Sequence, residues 1–242
     1  MKNRLRGIAL GLSIILLNSC TPDATDSTNI RTKGIFANYS LKILDNNTTN
    51  IRVSLHSGGI NGSSLDLISP EGLFVKYNSK EDKLDRNDLV NDIYYTKNIN
   101  VYKSDTDISI IFKRENEELN STIKLIPKVE ILSPKEKQTI SSTDKLEITW
   151  IKSSNSNIDI SIDTECNTAN RDTKTFSKTK NSVDNGTYTF SLSSIYPGDF
   201  EKYSNCITKL KVTRYREANV NSKFDDGTIR VMNSKTIELN VI

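Results

Sequence analysis

Over most of the chain apolar and polar residues alternate one by one. Tyr39, Leu41 and Ile43 are separated by polar positions, and Ile51, Val53 and Leu55 repeat the pattern. A period of two places every second side chain on one face, which predicts half-buried strands. The same reading extends to Leu65–Ile68, Leu73–Tyr77, Ile93–Tyr95, Ile108–Phe112 and Ile123–Ile126. The charged, apolar-poor stretch Asn78–Asp92 interrupts it and predicts a long loop or a short surface helix.

A second series opens after Pro127 with Val129–Pro134, and continues through Leu146–Trp150, Ile158–Ile162, Tyr188–Leu192, Ile207–Val212, Ile229–Met232 and Ile237–Ile242. A residue before proline prefers extended backbone, and proline is excluded from central strands, so a domain boundary is expected here. Asp184–Thr187 and Asp225–Thr228 both read Asp-(Asn/Asp)-Gly-Thr, and glycine supplies the positive φ that tight hairpins require. No sustained helical spacing appears outside the first twenty residues, and Ile, Val, Thr, Ser, Asn and Tyr are plentiful. The expectation is an all-β protein of two β-sandwich domains, residues 34–127 and 128–242.

The start of the chain differs. Lys2, Arg4 and Arg6 precede an apolar run, Ile8–Leu17, too short to cross a bilayer as a helix. A charged start and short apolar core make a secretory signal peptide. Its end, Leu17-Asn18-Ser19-Cys20, resembles the lipobox of bacterial lipoproteins. That resemblance implies a leader over residues 1–19, cleavage after Ser19 and acylation of Cys20. It also implies the outer membrane as address, because Thr21 rather than Asp follows the cysteine; which way the protein faces stays open. An ordinary signal peptide holding a cysteine is the alternative. Residues 20–33, polar and without periodicity, are expected to form a flexible tether.

Charge changes little once the leader is set aside. The chain has 33 Lys and Arg against 30 Asp and Glu, a formal +3 that Lys2, Arg4 and Arg6 alone account for. A balanced remainder has no basic footprint for nucleic acid, so that class of partner is not expected.

The stretch ILSPKEKQTISSTDKLEITW is similar to the opening of bacterial immunoglobulin-like envelope modules, in which a Ser-Pro step leads through a polar hairpin to a strand ending in Trp. Together with the ending VTRYREANVNSKFDDGTIRV, it resembles a group of proteobacterial lipoproteins. This resemblance implies immunoglobulin-like sandwiches. Trp150 precedes both Cys166 and Cys206, so the antibody disulfide layout does not carry over.

With Cys20 given to lipid, Cys166 and Cys206 are an even pair in an oxidising compartment. A structural bridge is expected; closing about 40 residues is worth roughly 4 kcal/mol in the chain-entropy picture. A redox or metal-binding thiol pair is the alternative, without C-x-x-C spacing or a nearby His to support it.

Catalytic constellations are sparse. His56, the single histidine, follows a strand and precedes the Gly-rich run Gly58–Gly62, and no G-x-S-x-G elbow accompanies it. That glycine run lacks the Walker lysine and serine and reads as a hairpin loop. Asp85, Asp88 and Asp92 lack a calcium-loop pattern, and Asp225 and Asp226 fit a turn. No metal or other cofactor is expected. The surface candidate is Ser193–Cys206, where Tyr196, Phe200 and Tyr203 sit in a Pro-Gly loop next to the expected bridge. Such rings would serve either as a stacking platform for glycan or protein, or as core packing at the sandwich end.

The expected function is therefore a non-catalytic, lipid-anchored envelope module that recognises protein or glycan through loops or strand edges. A surface-exposed adhesin or host-contact lipoprotein is one alternative. A carbohydrate-active enzyme or its accessory module is another.

Overall fold

A computed structural model describes residues 24–89, 92–168 and 172–242. Its strands are β1 (Thr25–Asp26), β2 (Ile35–Ile43), β3 (Thr49–Ser57), β4 (Ser63–Asp66), β5 (Gly72–Tyr77), β6 (Lys80–Lys83), β7 (Asp85–Leu89), β8 (Asp92–Ile99), β9 (Asp107–Arg114) and β10 (Glu117–Lys124) in the first half. The second half holds β11 (Ile131–Ser133), β12 (Thr139–Ile140), β13 (Lys145–Trp150), β14 (Asn157–Asn167), β15 (Thr173–Val183), β16 (Thr187–Ser191), β17 (Ser204–Asn219) and β18 (Asp226–Val241). Short 3-10 turns are the only helical elements among the described residues.

Two hydrophobic cores form. The first lies between the four-stranded sheet β10-β9-β5-β6 and the strands β4, β8, β3 and β2. Here Tyr39, Leu41, Ile51 and Val53 of one face meet Leu73, Val75, Ile108, Ile110 and Phe112 of the other. The second lies between β11-β13-β16 and β15-β14-β17-β18. Leu146, Ile148, Trp150 and Phe190 pack there against Ile158, Ile160, Ile162, Leu210 and Val212. Placing β11, β13 and β16 opposite β14, β17 and β18 is the immunoglobulin-like arrangement, with β12 added in parallel to the end of β18.

The sandwiches are not separated at residue 127. β17 and β18 are each 16 residues long and pair in one register, from Thr208 with Leu239 to Asn219 with Thr228. Their far halves belong to the first sandwich: β18 pairs in parallel with β2, from Asp226 with Phe36 to Met232 with Lys42. Val220, Phe224, Ile229 and Val231 complete the first core. The expected division 34–127 and 128–242 is therefore corrected. The chain passes to the second core between Ile126 and Val129, then sends its last hairpin back through the first.

Gly227 marks that return. A Cβ at this position would stand 1.9 Å from the Ala37 carbonyl oxygen, so only glycine lets β18 lie this close to β2.

Two further expectations change. The described residues of Asn78–Asp92 form β6, β7 and the beginning of β8 instead of a long loop or a helix. These β6 and β7 residues lie at sheet edges and bury neither face, so no alternation marks them. The expected tether, residues 20–33, is ordered from Ala24 onward: β1 pairs in parallel with β4, and Ser27 is fully buried.

Candidate functional site

The expected aromatic loop is assembled, but turned inward. Tyr196 and Phe200 are 4% and 5% exposed and belong to the second core, with Tyr203 packed against it. All three surround Phe176 of β15, at ring-centre distances of 6.0, 5.8 and 5.2 Å. The Tyr196 hydroxyl lies 2.8 Å from Thr164 Oγ1, which lies 2.9 Å from Thr208 Oγ1. Burial pushes the Tyr196 phenol up, and these two hydroxyl contacts pull partly against it. The reading of these rings as an open platform is corrected for Tyr196 and Phe200, which pack the core as the alternative expected; Tyr203 is half-buried and lines a surface notch of about 380 Å³ with Glu201 and Asn205. Phe176, the centre of the group, lies in a strand whose other residues are mainly Thr, Ser and Lys, and no sequence pattern marked it.

Cys166 and Cys206 form the expected disulfide beside this group. Cys166 lies within β14 rather than beyond its end, because the strand runs to Asn167. Cys20 lies outside the described residues.

The other sequence candidates are dispersed. His56 is the penultimate residue of β3, with Nδ1 3.2 Å from the Gly62 carbonyl in the turn that follows. Asp85 pairs with Lys97 and Asp92 with Arg52, while Asp88 lies 3.5 Å from Arg86. Among the described residues no three potential metal ligands converge.

What the structure does bring together is a buried polar node between the sandwiches. Arg214, on the inward face of β17, is 1% exposed. Its Nε donates to Asp184 Oδ2 at 2.6 Å, and one terminal nitrogen donates to the carbonyls of Pro127 and Lys128 at 3.1 and 2.9 Å. The other terminal nitrogen donates to the Ile151 carbonyl. Trp150 Nε1 donates to the remaining oxygen, Asp184 Oδ1, at 2.6 Å. Directly opposite Arg214 on the neighbouring strand, Asn233 of β18 receives the Val129 amide at 2.7 Å and donates to the Ile43 carbonyl at 2.9 Å. Lys128 Nζ completes the joint, reaching Asn47 Oδ1 at 2.7 Å and the Asp45 carbonyl at 3.1 Å, above the Tyr102 ring. Every polar group named here has a partner, so the burial of charge is compensated.

A second arginine repeats the device at the first sandwich. Arg114, at the end of β9, donates from Nε to Glu71 Oε1 at 2.5 Å and from its terminal nitrogens to the carbonyls of Ile30 and Ser27. Ser27 Oγ donates to Glu71 Oε2. Thr32 Oγ1 donates to Glu117 Oε2 at 2.6 Å, and Lys223 lies 3.3 Å from Glu117 Oε1. These two contacts hold the Glu117 carboxyl below its ordinary range. Each arginine thus fastens the segment by which the chain enters its sandwich. An open groove of about 470 Å³ lies beside the first clamp, lined by Asn29, Arg31, Lys33 and Glu115 among others.

At the joint, where β2 leaves β18, a notch of about 350 Å³ exposes Lys42 and Lys211 beside Ser234 and Thr236. Two ammonium groups and two hydroxyls suit an anionic or polyhydroxy group. The outermost strand of the second sandwich, β15, carries Lys174, Lys178 and Lys180 at the same parity as the inward Phe176. Lysines on the inward side of an edge strand oppose pairing with another chain.

No protein-family model matches the chain, and no curated protein matches it in sequence. Among solved structures it is similar to the titin domains z1z2 in complex with telethonin, at 10% identity over 88% of this chain and 98% of that one, with a TM-score of 0.24. It is also similar to the SGBP-B protein of a Bacteroides ovatus mixed-linkage glucan utilisation locus, in complex with a heptasaccharide, at 10% identity over 82% of this chain and 54% of that one, with a TM-score of 0.22. Scores this low mark no common arrangement of the whole chain, and no functional reading rests on them.

Proposed function

We propose that the chain is a lipid-anchored, non-catalytic module of the cell envelope, held at the outer membrane through Cys20, whose two sandwiches present loops to a protein or glycan partner as one rigid body. The observation that carries the rigid-body part is the β17–β18 hairpin, whose strands are shared by both sandwiches and whose crossing point is fixed by Arg214 and Asn233. Most two-domain chains meet through an interface that permits relative motion. A shared hairpin favours a part that keeps two surfaces at a set separation, the property a spacer or bivalent binder uses. The guarded β15 edge favours loops over strand pairing as the means of recognition. The leader and Cys20 support the address.

The test is metabolic labelling with a palmitate analogue, in the unaltered chain and in Cys20→Ala, followed by protease treatment of intact and lysed cells. Label present in the first and absent from the second is expected. Equal labelling would remove the anchor. Digestion only after lysis would place the body in the periplasm, whereas digestion in intact cells would turn the search to ligands outside the cell.

A further inference from the structure

The ordered entry segment sets how far the body stands from its anchor, and the fold sets which end faces it. Five residue steps separate Cys20 from Thr25. Fully extended, they span at most about 18 Å, less than the length of β2, whose nine residues cover about 30 Å. Thr25 lies opposite Leu65 in β4, which runs antiparallel to β3. The start of β3 is at the joint, since the Asn47 turn beside it meets Lys128, and its end at Ser57 is the pole away from the second sandwich. The chain therefore enters at that pole.

The same pole gathers the β3–β4 loop with Ile60, the β9–β10 turn and the β17–β18 turn, whose Asp225 amide donates to the Ile35 carbonyl. The end of β7 lies there too, because Leu89 pairs with Asp92 and Asp92 meets Arg52 and Ser64. Ile60 and Leu89 are 62% and 61% exposed, high for large aliphatic side chains. Charges of both signs lie at this pole: Arg31 and Lys33 on the entry segment, Asp92 paired with Arg52, and Glu117 paired with Lys223.

We propose that this pole of the first sandwich is a membrane-apposed surface, with the lipid bilayer that holds the anchor as its partner, and that Ile60 and Leu89 rest in the interfacial layer. The proposal rests on the Cys20 anchor proposed above. Because charges of both signs are present and several are paired with each other, the contact does not depend on anionic lipid. The second sandwich then projects outward, carrying its loops away from the membrane.

The full lipidated protein, purified and reconstituted into vesicles of brominated phosphatidylethanolamine and phosphatidylcholine, tests this. Ile60→Trp and Thr173→Trp each add one indole, at the near pole and at the far end of β15, while Trp150 stays buried as an internal reference. Vesicle flotation is read on the same samples. Flotation with loss of the added emission at position 60, and none at position 173, is expected, and substituting phosphatidylglycerol for part of the lipid leaves the loss unchanged. Flotation without quenching at position 60, or with equal quenching at both, overturns the apposition and leaves the anchor standing. Failure to float removes the anchor and the apposition with it.

Discussion

Arg214 and Asp184 meet at 2.6 Å with both side chains buried, at the point where the chain's last hairpin passes from one sandwich to the other. Asp184 comes from the turn before β16 and Arg214 from the middle of β17, so the pair ties a turn of one sheet to the strand that spans both cores. Through the same guanidinium the entry segment Pro127–Lys128 is held as well.

Removing one member leaves the other buried without its counter-charge. Arg214→Met is expected to lower unfolding stability by about 3–5 kcal/mol, with the Asp184 carboxylate and the carbonyls of Pro127 and Ile151 deprived of their donor. Urea unfolding followed by Trp150 fluorescence reads it as a lower midpoint. In a double-mutant cycle, Arg214→Met with Asp184→Leu costs less than the sum of the single changes, because the second change removes the orphaned charge.

Asn233 serves the joint without carrying charge. Asn233→Leu leaves the Val129 amide and the Ile43 carbonyl unpaired, and is expected to cost about 1–3 kcal/mol. Hydrogen exchange at the Val129 amide is expected to quicken more than at Ile160, deep in the second core.

The entry segment is sensitive to acid. Asp26 caps the turn at Ser27 by accepting from the Thr28 amide and hydroxyl, and its carboxyl lies below the ordinary value, as does that of Glu117. Carboxyls with depressed values in the fold contribute stability above their ordinary values of 3.8 and 4.5, and lose it as pH falls through their lower folded values. Limited proteolysis with an acid-active protease is expected to cut near Thr28–Thr32 as pH drops through this window, before the sandwiches open. Unchanged protection there would contradict the clamp.

At the alkaline end Tyr95 matters. Burial, opposed by the Leu67 amide that its oxygen accepts, pushes its phenol up to about 12. A raised value means stability that is whole below the ordinary 10 and lost as pH climbs from 10 towards 12. The phenolate absorbance of Tyr95, isolated as the difference between the unaltered chain and Tyr95→Phe, is expected to appear only above the range of the exposed tyrosines.

The disulfide is separable from the joint. Cys166→Ala with Cys206→Ala is expected to cost roughly 4 kcal/mol by relaxing the unfolded chain, with the Phe176 cluster becoming more accessible while the Arg214 node stays intact. Calorimetry with and without the bridge reads the first effect.

The strands of both cores were legible because they bury one face: Tyr39, Leu41 and Ile43, or Ile158, Ile160 and Ile162, alternate without interruption. β17 and β18 were legible only in pieces. Their inward positions read Leu210, Val212, Arg214 and Ile229, Val231, Asn233, so the apolar pattern stops at a polar residue in each. In a single sandwich such a stop marks a strand end; here it marks the crossing between two cores. β6 and β7 were hidden for a different reason, having no buried face to pattern. The aromatic loop was found as a group, but whether its rings face in or out depended on Phe176, twenty residues earlier and across the sheet.

The shared hairpin is tested most directly by native-state hydrogen exchange, residue by residue, along β17 under mild urea. Amides from Thr208 to Val212 and from Ala218 to Val220 lie on either side of Arg214, in different cores. If the two sandwiches form one body, both groups exchange through the same opening with the same urea dependence. If the Thr208–Val212 amides open at a lower urea concentration than those beyond Arg214, or the reverse, the sandwiches unfold separately and the hairpin does not join them.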